Sequence, residues 1–160
     1  MSAAILKGRY TVDNDQDIVV FLIGMRINKW WALHKWLPVF FAMPGMIQEL
    51  YTHKSKLGFL SMESYFGLKT TVMIQYWHST DALLAYSKQE KHMHAWKKFN
   101  QKVGSSSGAV AVYHETYQLK AGSYESIYVN MPPYGLGKAL SPVAVSKERH
   151  TASMRLNKQS

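Results

Sequence analysis

Along the chain, apolar residues recur with the spacing of β-strands in some segments and with that of α-helices in others. Residues 1–16 are polar, and Asp13, Asn14 and Asp15 favour a turn there, so we interpret them as an N-terminal lead-in. The segment 17–28 (DIVVFLIGMRIN) predicts a first strand, because it is rich in β-branched and apolar residues and ends in polar ones. Both faces of this strand are apolar, which indicates a covering layer on each side of its sheet.

A helical pattern follows over residues 30–51, where apolar residues recur at steps of three and four. Pro38 fits the first turn of a helix, and Pro44 should kink or interrupt it. A second helix is predicted from Ser79 or Thr80, either of which can act as the N-cap, to about Val103.

The remaining apolar segments alternate like strands and are separated by glycine-containing turns. Residues 59–66 and 70–77 predict a hairpin, 109–117 a fourth strand and 124–129 a further extended segment. Residues 139–160 are interpreted as a basic C-terminal tail, since they hold several Lys and Arg against a single Glu.

The order strand, helix, strand, strand, helix, strand predicts an α+β fold, namely a ferredoxin-like βαββαβ unit over residues 17–138. Four antiparallel strands would carry both helices on one face. The other, apolar face would then meet the sheet of a second copy, so we expect a homodimer with the architecture of a dimeric α/β barrel.

The amino-acid composition of the chain excludes several classes of function. The chain of 160 residues has no cysteine, which excludes disulfides, a cysteine nucleophile and thiolate metal sites, and favours a reducing compartment. Its longest uncharged apolar stretch, residues 36–48, is too short for a membrane span, and its start lacks a signal-peptide pattern. We therefore expect a soluble cytoplasmic protein.

The formal net charge of +9 raises the possibility of nucleic-acid binding. The basic residues of the second helix are Lys88, Lys91, Lys97, Lys98 and Lys102. Such a run is more often a solvated helix face, so no specific nucleic-acid partner is predicted. A noncatalytic ligand- or nucleic-acid-binding module is kept as an alternative to an enzyme.

Three motifs stand out together: GMRIN at 24–28, YWHS at 76–79 with HMHAWKKFN at 92–100, and YHETY at 113–117 with GSYESIYVNMPPYGLG at 122–137. With these motifs the chain resembles the fumagillin-pathway-type monooxygenase-like family, within the antibiotic-biosynthesis-monooxygenase and dimeric α/β-barrel superfamily. The resemblance implies a pocket between sheet and helices for a mostly apolar ligand.

The resemblance also implies a choice of chemistry. Quinone-forming members oxygenate electron-rich aromatic or polyene substrates with dioxygen and no cofactor, whereas haem-degrading cousins and aldoxime dehydratases of a related fold use haem. We expect a cofactor-independent monooxygenase of secondary metabolism, with a haem enzyme as the alternative. No site for a bare metal ion is predicted, because His92 and His94 would point to different sides of a helix.

His114 and His92 are the candidate catalytic bases, because imidazole can accept a proton near neutral pH. If haem binds, one of them would be its axial ligand. His114 shares a strand face with apolar residues, and a core histidine there is an equally good interpretation. Glu115 would point to the opposite face, where it could bind substrate or pair with a cation.

Haem-degrading cousins use an Asn, a Trp and a His that match Asn28, Trp77 and His92 in type and order. Asn28 could orient dioxygen or merely cap the next helix. The candidate substrate-binding residues are Arg26, Tyr76, Trp77, Trp96 and Glu115. Core packing is the default role for the aromatic ones, and Arg26 could instead pair with Glu63 or Glu115.

Overall fold

The protein is described by a computed structural model over residues 4–156, in which Lys91 and Ala95 are described by their backbone alone. It contains two antiparallel sheets and a set of helices. The strands are β1 (Leu6–Thr11), β2 (Ile18–Ile27), β3 (Phe59–Phe66), β4 (Thr70–Trp77), β5 (Val110–Leu119), β6 (Tyr128–Met131) and β7 (Val143–Ala144). The helices are α1 (Leu33–Phe40), α2 (Met43–Thr52), α3 (Lys54–Leu57), α4 (Thr80–Ser87), α5 (Glu90–Gly104), α6 (Leu136–Leu140) and α7 (Ala152–Leu156), with a 3₁₀ turn at Lys147–Arg149.

The larger sheet has the strand order β3-β4-β2-β5 and is antiparallel throughout. This order is that of a ferredoxin-like unit, so the predicted α+β fold class is confirmed. Val19 of β2 lies opposite Trp77 of β4, and Ile23 lies opposite His114 of β5. The register assigns alternate residues of each strand to the two faces of the sheet.

Two details of the helical prediction are wrong. Pro38 lies inside α1 and not in its first turn, because the helix begins at Leu33, five residues before the proline. The predicted helix from Ser79 to Val103 is two helices, interrupted at Lys88 and Gln89. The predicted cap is present, since Ser79 Oγ accepts the Ala82 N–H at 3.1 Å.

The helix face of the large sheet carries most of the core. One cluster joins it to α2, α3 and α4 around Phe59, Trp77 and Leu83, and a second joins it to α1 and α5 around Val39 and Phe99. Aromatic and branched side chains at alternate strand positions thus meet the apolar faces of the helices. Within residues 4–156, none of the helices has the length and apolarity to cross a bilayer.

The terminal segments build a second sheet of order β6-β1-β7. It lies against the other face of the large sheet, where Ile18 and Leu60 pack with Val12 and Tyr124. Hydrogen bonds join the N-terminal lead-in to the C-terminal tail. Asn14 Nδ2 donates to the backbone oxygen of Arg155 at 2.8 Å, and it also donates to that of Tyr124 at 2.9 Å. Part of the face expected to need a second copy is therefore covered within the chain.

Candidate active site

An apolar cleft lies between the helix face of the large sheet and helices α2, α4 and α5. Its volume is about 490 Å³, and polar side chains are few in its walls. A smaller cavity of about 100 Å³ adjoins it and shares a set of wall residues, which are Ile23, Met43, Ile47, Met73 and Phe99. The polar residues of the main cleft are His92, His114, Tyr86, Gln75, Thr116, Ser87 and Lys88.

His114 lines this cleft from the edge strand β5. Its ring lies 5.7 Å from that of Phe21 on the neighbouring strand. The side chain is exposed, so His114 is not the buried core histidine that was the alternative interpretation. An imidazole in this position can reach both a ligand in the cleft and solvent.

His92 lines the same cleft from helix α5. Its ring lies 4.6 Å from the ring of Tyr86, and its Nδ1 is buried without a hydrogen-bond partner. Burial lowers the pKa of His92, an effect that the nearby Glu49 carboxylate opposes. The imidazole is therefore neutral at neutral pH and able to accept a proton.

Tyr86 is a residue of the cleft that sequence analysis did not single out. It is 5% exposed, and its hydroxyl is buried without a partner. Burial, reinforced by Glu49, raises the pKa of Tyr86 to about 12, so the hydroxyl stays protonated. The sequence does indicate that Tyr86 is buried, because it follows Leu83 by three residues and so shares its helix face. This spacing does not distinguish a residue that lines a cleft from one that lies in the core.

The two candidate tryptophans have different environments. Trp96 lines the cleft and stacks on Phe99, with ring centroids 5.5 Å apart. Trp77 is fully buried, and its Nε1–H donates to Gln75 Oε1 at 3.1 Å. Trp77 therefore acts on the cleft indirectly. Its hydrogen bond fixes the side-chain amide of Gln75, and Gln75 lines the cleft.

Arg26, Tyr76 and Glu115 do not join the histidines. The register pairs Glu115 with Leu22 and Tyr76 with Val20, on the face of the sheet opposite His114. Glu115 accepts a hydrogen bond from Tyr117 on that face. Desolvation, reinforced by neighbouring tyrosines and Glu63, raises the pKa of Tyr76 to about 12. The candidate residues were expected to share one pocket, but they lie on the two opposite faces of the sheet.

Asn28 lies just beyond the end of β2, far from Trp77, the second member of the Asn–Trp–His set. Trp77 pairs with Val19, and Asn28 follows Val19 by nine residues, which at strand rise is about 30 Å. Asn28 Nδ2 donates to the Gly108 carbonyl at 3.1 Å, and the N-cap position of α1 is Ala32. Asn28 thus joins two loops, and it neither caps α1 nor meets Trp77.

The donor set of the cleft is poor in metal ligands. Within residues 4–156 there is no group of three or more His, Asp or Glu side chains that could hold a metal ion. Haem needs one imidazole and apolar walls, which the cleft has, together with a cation for its propionates, which Lys88 provides. The residues present are thus compatible with haem, although none of them requires it.

Comparison with known proteins adds to this geometry. The family model described as Monooxygenase af470-like matches residues 18–136. Monooxygenase af470 of Aspergillus fumigatus is 30% identical over 99 residues, which are 59% of this chain and 35% of the relative. The chain thus spans about a third of that relative's length.

Two aldoxime dehydratases have a similar structure. One, in complex with butyraldoxime, has a TM-score of 0.66 at 17% identity over 83% of this chain and 42% of its own. The other has a TM-score of 0.63 at 18% identity, with the same coverage. At this level of identity the likeness supports the ferredoxin-like fold.

Proposed function

The chain belongs to the monooxygenase af470-like family, and on that premise we propose that it oxygenates an apolar small molecule in the cleft without a cofactor. The observation that carries the proposal is that His92 and His114 line one apolar cleft. A titratable group with a perturbed pKa inside an otherwise apolar cleft, as His92 is, is typical of catalytic sites.

The shape and lining of the cleft favour an elongated, apolar substrate. The main cleft and the smaller cavity share Met73 and Phe99 in their walls, so the two spaces adjoin. Flexible methionines occur along it, at Met43, Met46 and Met93 in addition to Met73. Methionine side chains adapt to irregular apolar ligands, as an electron-rich polyketide or terpenoid would be.

The reaction needs no external reductant when the substrate provides the electrons. A base removes a proton from an activated CH₂ group, and the carbanion adds to dioxygen. The resulting peroxide takes up the proton, and loss of water leaves a carbonyl, so that CH₂ and O₂ become C=O and H₂O. A dry cleft favours this series of steps, because water would compete for the base and would protonate the carbanion before it adds to dioxygen.

We assign the proton abstraction to His92, which then returns this proton to the peroxide. We assign to His114 the removal of the second C–H proton, which leaves with the hydroxide as water. Burial keeps His92 neutral and ready to accept a proton, and His114 lines the same cleft from the edge strand of the sheet. Trp96 then provides part of the apolar wall against which the substrate stacks.

Oxygen consumption with a hydroxyanthrone, an aromatic with an activated methylene, tests these roles. His92→Ala and His114→Ala should each lower the rate by about a hundredfold or more, as expected for loss of a general base. His94→Ala is the matched control, since His94 lies two residues from His92 on the same helix but is exposed. Equal rates for all three variants and the wild type would contradict the assignment.

A haem enzyme of the same fold is the second candidate, favoured by the imidazoles and Lys88 around an apolar cleft. His92 or His114 would hold the iron, and bound haem would supply Lewis-acid or oxidative chemistry. Titration with haemin, followed by absorption, distinguishes the two candidates. A Soret band that survives desalting and is lost in His92→Ala or His114→Ala favours haem, and a protein that stays colourless favours the cofactor-independent reaction.

We further propose a homodimer that uses the uncovered part of the far sheet face. Tyr113 and Tyr117 are exposed there, while Leu22 and Val72 are half-buried. The Tyr113 ring lies directly over Gly24, where a Cβ would approach Tyr113 Cε1 to 2.2 Å, so an aromatic ring covers the middle of this face. Glu115 and Arg26 would then lie at the interface.

Sedimentation equilibrium tests the dimer. A mass of twice 18.3 kDa that falls to one copy in Tyr113→Glu would support the interface. A monomeric wild type would contradict it. We place the enzyme in the cytoplasm and in secondary metabolism, in keeping with the lack of cysteine and with the family.

A further inference from the structure

Large apolar side chains are exposed at one end of the large sheet, where β2 ends, the β3–β4 hairpin turns and β5 begins. Leu68 is 88% exposed, Trp31 79%, Phe66 70% and Phe41 68%. Trp30 and Leu33 are exposed beside them. We call this surface the hairpin end, defined by Trp30, Trp31, Leu33, Phe41, Phe66 and Leu68.

Direct contacts connect the segments that form the hairpin end. The N–H of Ile27 donates to the Lys69 carbonyl at 2.7 Å, which holds the hairpin turn against the end of β2. The ring of Phe40 lies 5.6 Å from Phe41 and 6.3 Å from Phe66. The exposed apolar residues therefore form one patch, and an exposed apolar patch of this kind marks an interaction surface.

Charge is distributed unevenly around this patch. The stretches 18–48, 64–80 and 91–114, which meet at the hairpin end, contain no Asp or Glu. They hold several cations near the patch, among them Arg26, Lys29, Lys35 and Lys69. Asp17 precedes β2 and Asp81 follows β4, so both acids lie at the opposite end of the sheet.

We propose that the hairpin end docks on an anionic lipid bilayer. Exposed Trp and aliphatic side chains enter the interfacial region, and flanking Lys and Arg are attracted to anionic headgroups. The absence of acids from the three stretches removes the repulsion that would oppose such docking. Nucleic acid would use the same cations, but it offers no apolar environment for Leu68 or Leu33, whose exposure a bilayer accounts for.

The position of the small cavity adds a consequence for the proposed enzyme. Phe40 and Phe66 line this cavity, and Phe66 is also one of the exposed residues of the hairpin end. The cavity thus lies directly beneath the hairpin end, and it shares wall residues with the main cleft. An apolar substrate dissolved in the bilayer could enter there, a consequence that rests on the proposed function, whereas the docking itself does not.

Vesicle co-sedimentation with the full chain tests the docking. Vesicles of phosphatidylcholine alone are compared with vesicles containing phosphatidylserine, at low and high salt. We expect binding to the anionic vesicles that is weakened by salt. Trp31→Ser with Leu68→Ser removes the apolar contacts, and Lys29→Gln with Lys69→Gln removes charge; each pair should weaken binding about tenfold or more.

Matched controls change exposed residues of the same kind elsewhere on the surface. Ile5→Ser with Met154→Ser controls for the apolar pair, since these side chains are 63% and 48% exposed. Lys54→Gln with Lys56→Gln controls for the charge pair, because both lysines are exposed on α3. Circular dichroism and thermal unfolding verify that every variant folds.

Three results would overturn the proposal. The first is no binding to anionic vesicles, including the case in which a short RNA binds instead. The second is equal loss of binding in the test and control pairs. The third is a change of oligomeric state in Trp31→Ser with Leu68→Ser, because the patch would then be a contact between protein copies. None of these results depends on the activity assay, so docking and catalysis are judged separately.

Discussion

The ring of Tyr86 lies 4.6 Å from the ring of His92, although the two residues belong to different helices. On one continuous helix, residues six positions apart would point about 120° away from each other. The interruption at Lys88 and Gln89 removes this constraint and lets α5 turn His92 towards Tyr86. The polar end of the cleft therefore depends on a break in the helix, and two predictions concern this pair.

Replacement of Tyr86 by phenylalanine should preserve stability or raise the free energy of unfolding by up to about 1 kcal/mol. The hydroxyl is buried without a partner, and its removal ends that desolvation cost. Tyr86→Ala should instead cost about 3–5 kcal/mol, because the ring packs on Trp77 at 5.5 Å. Urea denaturation measures both; a Phe variant as unstable as the Ala variant would mean that the hydroxyl has a partner.

The stability of the wild type should fall as the pH drops below about 6.5. Burial lowers the pKa of His92 below the value of about 6.5 that is usual for histidine, so between the two values the unfolded chain binds a proton that the folded chain does not. His92→Gln should therefore show a smaller loss of melting temperature between pH 7.5 and pH 5.5. His53→Gln, at an exposed histidine, is the control and should retain the wild-type pH dependence.

Replacement of Trp77 by phenylalanine should lower the free energy of unfolding by about 2–3 kcal/mol. The change opens space beside Phe59, which contacts the indole at 5.4 Å, and it leaves Gln75 Oε1 without the Trp77 donor. Because Gln75 is then free to rotate in the cleft wall, ligand affinity should also decrease. Trp31→Phe, at an exposed position, should leave the unfolding transition unchanged.

The ion pair between Lys138 and Glu63 should stabilise the contact between α6 and β3. Lys138 Nζ lies 3.3 Å from Glu63 Oε1 and also donates to the Met62 carbonyl at 3.1 Å. The Glu63 side chain is only 12% exposed, so Lys138→Met leaves a largely buried carboxylate without its cation. We expect a loss of about 1–3 kcal/mol.

A double-mutant cycle checks this origin of the effect. Glu63→Gln combined with Lys138→Met should recover part of the loss, because the uncompensated charge is then gone. Losses that simply add would show that the two side chains do not interact. Lys120→Met is the control, since its pair with Asp17 is largely exposed and should contribute little.

Local signals were sufficient for the strands that form the large sheet. The expected bounds of β3 and β4 agree with the structure, and β2 differs only at its ends, because alternation and the turn at Gly67 specify them locally. The Ser79 cap was also predictable, since an N-cap depends on residues three positions apart. The helix break at Lys88 was not, because no glycine or proline marks it.

The site was predicted in part. Both candidate histidines line the cleft, and strand parity correctly separated Glu115 from His114. The match of Asn28 to Trp77 and His92 in residue type and order did not predict that Asn28 and Trp77 lie at opposite ends of β2, because order along the chain does not give distance in the sheet. Tyr86 was missed, since its unpartnered hydroxyl is a property of packing and not of spacing.

The sequence by itself determined the βαββαβ order, the two faces of each strand and the residue types available for chemistry, because these follow from periodicity and from turn and cap residues a few positions apart. Only the tertiary structure decided how the far face is covered and which residues share a cavity. Contacts such as that of Asn14 with Arg155 join positions that are remote in the chain. Their formation depends on the packing of the whole molecule, which no local pattern encodes.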